Sequence, residues 1–166
     1  AVTGLSPDLD PLGIATLASV DASAARMTVP EGAVLPVNAY WRVLVHETFD
    51  GRRWRHRDSP PPPKSLRGVR STAAISQWWV VEPSSTRALP WDGRSAPVAA
   101  DQWIAPEGEL LMDVASRQRR AYRLQANGSA QDWRRRPPLA SERQLPPDGL
   151  PRLRQLGREF SSLPTD

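Results

Sequence analysis

The stretch AYWRVLVHETFDGRRW, residues 39–54, decides between two very different proteins. Within it, His46-Glu47-Thr48-Phe49-Asp50 stands one letter from the H-E-x-x-H signature, by which a helix presents two histidines and a glutamate to zinc. That chemistry needs the helix, because only there do positions i and i+4 share a face at a spacing that reaches one metal. The segment instead alternates. Trp41, Val43, Val45 and Phe49 fall on one side, with Arg42, Leu44, His46 and Thr48 between them, a period of two in β-branched and aromatic types. Asp50-Gly51 then supplies a two-residue hairpin signal, since both central residues of a type I′ turn take a positive φ. The expectation is a hairpin over roughly 39–56, with Trp54 on the face of Phe49 and Val45. At a rise of ~3.3 Å per residue, His46 and Asp50 stand about 13 Å apart and cannot share a metal. No metal and no cofactor is expected.

With 166 residues, the chain is long enough for one full core, and a single domain is the default. It opens on Ala1-Val2 and not on methionine, so a piece of a longer protein is expected. No run approaches the ~20 apolar residues of a spanning helix. The chain has no cysteine, which excludes disulfides, thiolate-held zinc and thiol catalysis from this segment without naming a compartment. A pI near 10.5 suggests nucleic acid, yet the net charge is only +4. Net charge is the better guide, and no nucleic-acid partner is expected. The charge is uneven: residues 51–70 and residues 117–136 each hold seven basic residues and one acidic residue. Exposed arginines on strands explain this blandly; an anionic partner such as phospholipid head groups is the sharper account.

Outside the hairpin, strands are expected at 25–29, 72–82, 109–114 and 119–126. The end of the second of these strands is set by Glu82-Pro83, because proline cannot continue a central ladder. Asn127-Gly128 marks a second turn, and Asn127-Gly128-Ser129, although it fits an N-glycosylation pattern, reads as that turn. Ser6-Pro7-Asp8, ahead of Leu9, Leu12, Ile14 and Leu17, suggests a short helical turn. SPPPPK at 59–64 reads as an extended surface connection. Short strands at turn-separated intervals, with 18 prolines and 10 glycines, predict a mainly β single domain, a sandwich or irregular barrel.

The C-terminal end changes character. Leu150, Leu153, Leu156, Phe160 and Leu163 recur at helical spacing with Pro151 suited to a first turn, which predicts an amphipathic helix. The expected division is a β-rich domain over 1–146, then a linker and helix over 147–166. Leu153, Leu156 and Phe160 form the candidate docking stripe. No catalytic residue is assigned: His46 and His56 lack a G-x-S-x-G serine, a cysteine or a ligand cluster, and no phosphate-cradling glycine pattern occurs. The seven tryptophans read first as core and rim packing. A glycan- or base-stacking groove is the alternative.

Five stretches, TGLSPDLDPLGIATLASVDASAARMTV, YWRVLVHETFDGRRW, WWVVEPS, RRAYRLQA and LPRLRQLGREF, resemble in that order the extracytoplasmic region of bacterial membrane-anchored transglutaminase-like proteins of the TgpA type. The likeness is most specific at Tyr40-Trp41-Arg42 with Phe49 to Trp54. It implies an accessory domain that leads into a Cys-His-Asp transglutaminase core, in a periplasmic region of an inner-membrane protein anchored by transmembrane helices. The implied chemistry of the parent is acyl transfer from glutamine through a thioester, with the histidine activating the cysteine. The implied partners are the protein's own core and cell-wall peptide or protein substrates. A non-catalytic accessory or scaffold domain is therefore expected, and a peptidoglycan or anionic-surface binding module is the alternative.

Overall fold

The computed structural model describes residues 8–9, 23–35, 37–64, 67, 73–126, 137 and 151–161. Among these, in chain order, the strands are β1 (Asp8–Leu9), β2 (Ala25–Thr28), β3 (His46–Phe49), β4 (Trp54–His56), β5 (Ile75–Val81), β6 (Ala88–Leu89), β7 (Ala96–Pro97), β8 (Gln102–Ile104), β9 (Leu110–Met112) and β10 (Arg120–Gln125). The helix α1 spans Pro151–Ser161 and begins on proline, whose missing N–H costs nothing in a first turn.

The antiparallel pair β5–β10 forms the centre of the molecule. Gln77, Trp79 and Val81 point inward and Trp78 and Val80 outward, the period-two pattern of a half-buried strand. β2 borders β5 and β7 borders β10, giving the order β2-β5-β10-β7. Pro97 is tolerated because β7 is an edge strand. Trp79 lies opposite Tyr122 with their rings stacked at 6.0 Å. Tyr122 donates its hydroxyl to the Pro90 carbonyl, and burial pushes its pKa well up.

A second sheet, β6-β9-β8, packs on the first. Its register separates two rows. Leu89, Leu110 and Ile104 belong with Trp79, Val81, Tyr122 and Leu124 in the main core, whereas Ala88, Leu111 and Trp103 form a smaller cluster with Ala105. Consequently Leu110, Leu111 and Met112 are all buried, and β9 shows no polar alternation. The architecture is the mainly β sandwich that the sequence predicts.

Gln102 is buried in β8 with neither side-chain oxygen nor nitrogen hydrogen-bonded among the described residues. An unsatisfied buried amide is costly, so Gln102→Met, close in volume, should raise stability by about 1 kcal/mol in urea denaturation. A loss of stability would show that the amide is satisfied in solution.

The hairpin departs from expectation in two places. First, its first strand begins at His46 and not near residue 39. Residues 39–45 make a single bridge, Arg42 to Trp91, with N–H···O distances of 2.7 and 2.8 Å. Trp41 packs against the main core, and Val43 and Leu44 against the smaller cluster, so this segment serves packing and not a ladder. Second, the turn is not type I′. Only Gly51 has positive φ, at 100°, and four residues separate the strands. Asp50 organises them: Oδ1 accepts the N–H groups of Arg52 and Arg53 at 2.9 and 2.8 Å, and Oδ2 accepts Arg55 at 3.0 Å. Phe49 and Trp54 still share a face, stacked at 5.0 Å.

The Arg53 and Arg52 amides, and then Arg55, hold the Asp50 carboxyl down at about 2. A depressed carboxyl contributes stability above its unfolded value of 3.8 and loses it as pH falls through about 2. Protection of the Arg52 and Arg53 amides, relative to their intrinsic exchange, should therefore fall across that acid window and, in Asp50→Ala, be lost already at neutral pH. Gly51→Ala should cost about 1–2 kcal/mol, because the left-handed backbone disfavours a Cβ although the space around it is open. An unchanged melting temperature would contradict this.

Asp8 and Leu9 pair with Arg55 and Trp54 as a two-residue strand. The rest of the expected N-terminal helical turn, the Asn127-Gly128 turn and the linker at 147–150 lie outside the described residues.

Candidate functional site

The polar residues that the fold gathers sit where the β3–β4 hairpin docks on the second sheet. Ala105-Pro106-Glu107-Gly108 turns β8 into β9: Gly108 N–H reaches the Ala105 carbonyl at 2.8 Å, and Gly108 takes a φ of 83°. Proline at the second position and glycine at the left-handed one suit this three-residue hairpin loop. It places Glu107 and Glu109 inside the protein.

Glu109 is 1% exposed and joins both neighbouring elements. Its Oε1 accepts the Val45 N–H and lies 3.3 Å from His56 Nδ1. The same Nδ1–H reaches the Val45 carbonyl at 3.1 Å, so the imidazole is held between a backbone oxygen and a carboxylate. The Glu109 hydrogen bond raises the His56 pKa above 6.5, against the opposing effect of burial. Ser59 donates its hydroxyl to Glu107 Oε2 at 2.9 Å, and Arg42 reaches the carbonyls of Glu107 and Gly108, each at 3.3 Å. Beside them, the guanidinium groups of Arg67 and Arg87 each lie 5.4 Å from the Trp103 ring centre. Arg67 binds Asp113 and the Pro62 carbonyl, and Arg87 binds Asp58 and the Ser59 carbonyl.

This arrangement braces loops. Its serine donates to a glutamate and its imidazole to a carbonyl and a carboxylate, so neither is poised on the other as a nucleophile and its base. His46 is the cross-strand partner of His56, while Asp50 is engaged in its turn, and the two ends of the zinc-like motif serve different jobs. Four arginines of the basic blocks are tied to acids: Arg55 to Asp50, Arg67 to Asp113, Arg119 to Glu82 at 2.8 Å, and Arg120 to Asp101. Arg134 to Arg136 lie outside the described residues. Trp79, Trp91 and Trp103 are buried, whereas Trp54 and Trp78 are exposed. Of the docking stripe, Leu156 is 40% and Phe160 is 69% exposed.

Sequence reasoning missed Glu47, Glu107 and Glu109. A bulge between His46 and Thr48 accompanies Glu47, which has the parity of Val45 and Phe49 and is buried with only 2% exposure. The Pro106 and Gly108 spacing could have revealed the turn that buries the other two. Asp92-Gly93-Arg94 also repeats Asp50-Gly51-Arg52: Asp92 Oδ1 accepts the Arg94 and Ser95 N–H groups at 2.9 and 2.8 Å, and Gly93 has a φ of 75°.

The fold and its brace define the class as a mainly antiparallel β-sandwich domain whose buried charged groups hold loops in place. The chain belongs to the TgpA N-terminal domain family, whose model matches residues 1–150. It is 32% identical, over 130 residues, to a protein-glutamine gamma-glutamyltransferase of Pseudomonas aeruginosa, covering 76% of this chain and 16% of that protein. It also matches the crystal structure of the periplasmic domain of TgpA from Pseudomonas aeruginosa, with a TM-score of 0.75, 29% identity, and coverage of 96% of this chain and 56% of that one. The same domain bound to ethylmercury matches with a TM-score of 0.70 and 29% identity, over 95% of this chain and 56% of that one. The chain therefore spans about half of the solved periplasmic domain and a small part of the transferase.

Proposed function

We propose that this chain is a non-catalytic accessory domain in the periplasmic region of a membrane-anchored transglutaminase-like protein, which it helps to scaffold and orient. One observation carries the reading: the family match is to an N-terminal domain, in a chain that has no cysteine to form a thioester. Acyl transfer at the cell envelope is assigned to the parent, and this region leaves that chemistry to a separate core. The division into a β domain over 1–146 and a linker with helix over 147–166 belongs to the same proposal. So does docking of that core on Leu153, Leu156 and Phe160. Exposure of Leu156 and Phe160 supports it, since a helix of 11 residues is marginal in water without an apolar face to bury.

Two measurements test this. The purified chain should incorporate no amine into a glutamine donor; activity abolished by changing His46 or His56 would refute the assignment. Amide exchange across 153–160 should be fast in dilute monomer and slow when the following domain is present. Strong protection in the monomer would exclude the docking role.

A second reading, a module for peptidoglycan or an anionic surface, is favoured by the outer face of the four-stranded sheet. Cross-strand register sets Arg26 beside Val80 and Arg123 beside Trp78, all exposed. Sedimentation with peptidoglycan and with anionic vesicles at low and high salt tests it, and no binding at low salt rejects it.

A further inference from the structure

A pocket of about 290 Å³ opens between the two sheets of the sandwich, away from the Glu109 brace. Its walls include Trp41, Val43, Trp79, Val81 and Met112, and the lining follows β5 from Trp79 to Val81 and then the loop beyond it to Ser84. Trp41 stands edge-on to Trp79 at 6.3 Å. Protein interiors are packed with few voids larger than a water molecule, so a space this size is not ordinary packing slack. Along these apolar walls water is a poor occupant, because it needs two to four polar partners. A cavity of ~150 Å³ lined by apolar side chains admits benzene, and on that scale this one accepts on the order of ten carbons.

The pocket has a polar end. Ser84, Thr86, Ser116 and Glu82 line it there. The Ser84 and Thr86 hydroxyls lie 3.1 Å apart, so one can donate to the other and leave a second O–H for a ligand. Glu82 is paired with Arg119 at 2.8 Å, which balances the charge at that end. An apolar depth that leads to hydroxyls and a neutralised carboxylate matches a single hydrocarbon chain with an uncharged, hydrogen-bonding head.

We propose that this pocket binds one hydrocarbon chain of about ten carbons, the tail of a neutral amphiphile, with its head at Ser84 and Thr86. The tail could be delivered by a free amphiphile or by a bilayer lipid. Bromine quenches tryptophan at contact, and Trp41 and Trp79 are in the wall, so the probes are terminally brominated decanol and zwitterionic vesicles with brominated acyl chains. The 166-residue chain should show saturable quenching of part of its emission by at least one of them. Quenching by the alcohol alone identifies a free amphiphile, and quenching by vesicles identifies a bilayer tail. Ala25→Leu, which fills the pocket from β2, and Thr86→Leu, which narrows the polar end, should each weaken binding by about tenfold or more, the scale of a few misplaced carbons in an apolar pocket. Trp54→Phe, in β4 and outside the pocket lining, should leave saturation unchanged. No saturable quenching by either probe would overturn the proposal. Equal affinity in folded Ala25→Leu and Thr86→Leu, each checked by near-ultraviolet circular dichroism, would do the same.

Discussion

Replacing Glu109 by alanine should lower the stability of the domain by about 3–5 kcal/mol, the cost of breaking a buried charged pair from one side. For a chain of this length, that corresponds to a fall of roughly 6–20 °C in melting temperature. The side chain is fully buried and its Oε1 serves both the Val45 N–H and His56 Nδ1, so truncation orphans the Val45 N–H, leaves His56 Nδ1–H only the Val45 carbonyl and opens a space. Glu109→Gln keeps the size and one acceptor oxygen, and should cost about 1–2 kcal/mol. The pair also sets a pH dependence. His56 titrates above 6.5 in the folded state, so its contribution is complete below 6.5 and is lost as pH rises through the higher folded value. Wild type should therefore melt at a lower temperature at pH 9 than at pH 6 by an increment that Glu109→Gln abolishes. A Glu109→Ala loss under 1 kcal/mol, or identical pH profiles for wild type and Glu109→Gln, would show that the brace carries little energy.

The second large effect is expected at Trp91. This residue is 1% exposed at the centre of the main core and belongs to no strand. Its backbone exchanges hydrogen bonds with Arg42, and its indole N–H donates to the Ser95 carbonyl at 2.6 Å. The residue thus joins the extended 39–45 segment through its backbone, and the Asp92-Gly93 turn and both sheets through its side chain. Trp91→Ala should cost about 3–5 kcal/mol in denaturant unfolding, as other large-to-small changes of buried aromatics do. Trp91→Phe retains most of the apolar volume and should recover more than half of that loss. If the two variants were equally destabilised, the indole hydrogen bond, and not packing, would carry the effect.

The elements that sequence patterns reveal are those whose pattern is local. β5 and β10 alternate over six or seven residues because one face is buried and the other wet, and Glu82-Pro83 closes β5 by backbone sterics alone. α1 is equally plain, since Pro151 and the three-to-four residue leucine spacing report helical geometry directly. The zinc-like motif could be dismissed on the same ground. β6, β7 and β8 could not be read this way, because two or three residues cannot establish a period; β9, expected at 109–114 and found at Leu110–Met112, is legible as an apolar run although it lies buried on both faces.

The candidate sites divide along the same line. Exposure of Leu156 and Phe160 follows from their place on an amphipathic helix, but the Glu109 brace joins residues 53 and 64 positions apart in the chain. Nothing near Glu109 in sequence announces that its carboxylate will meet an imidazole. The pocket is more remote still from sequence. Its apolar walls would read as ordinary core, and whether two layers of side chains close on each other or leave a tapered space is settled only when both sheets are in place. Local patterns determined which residues face inward; the packing of the two sheets decided which of those inward faces meet.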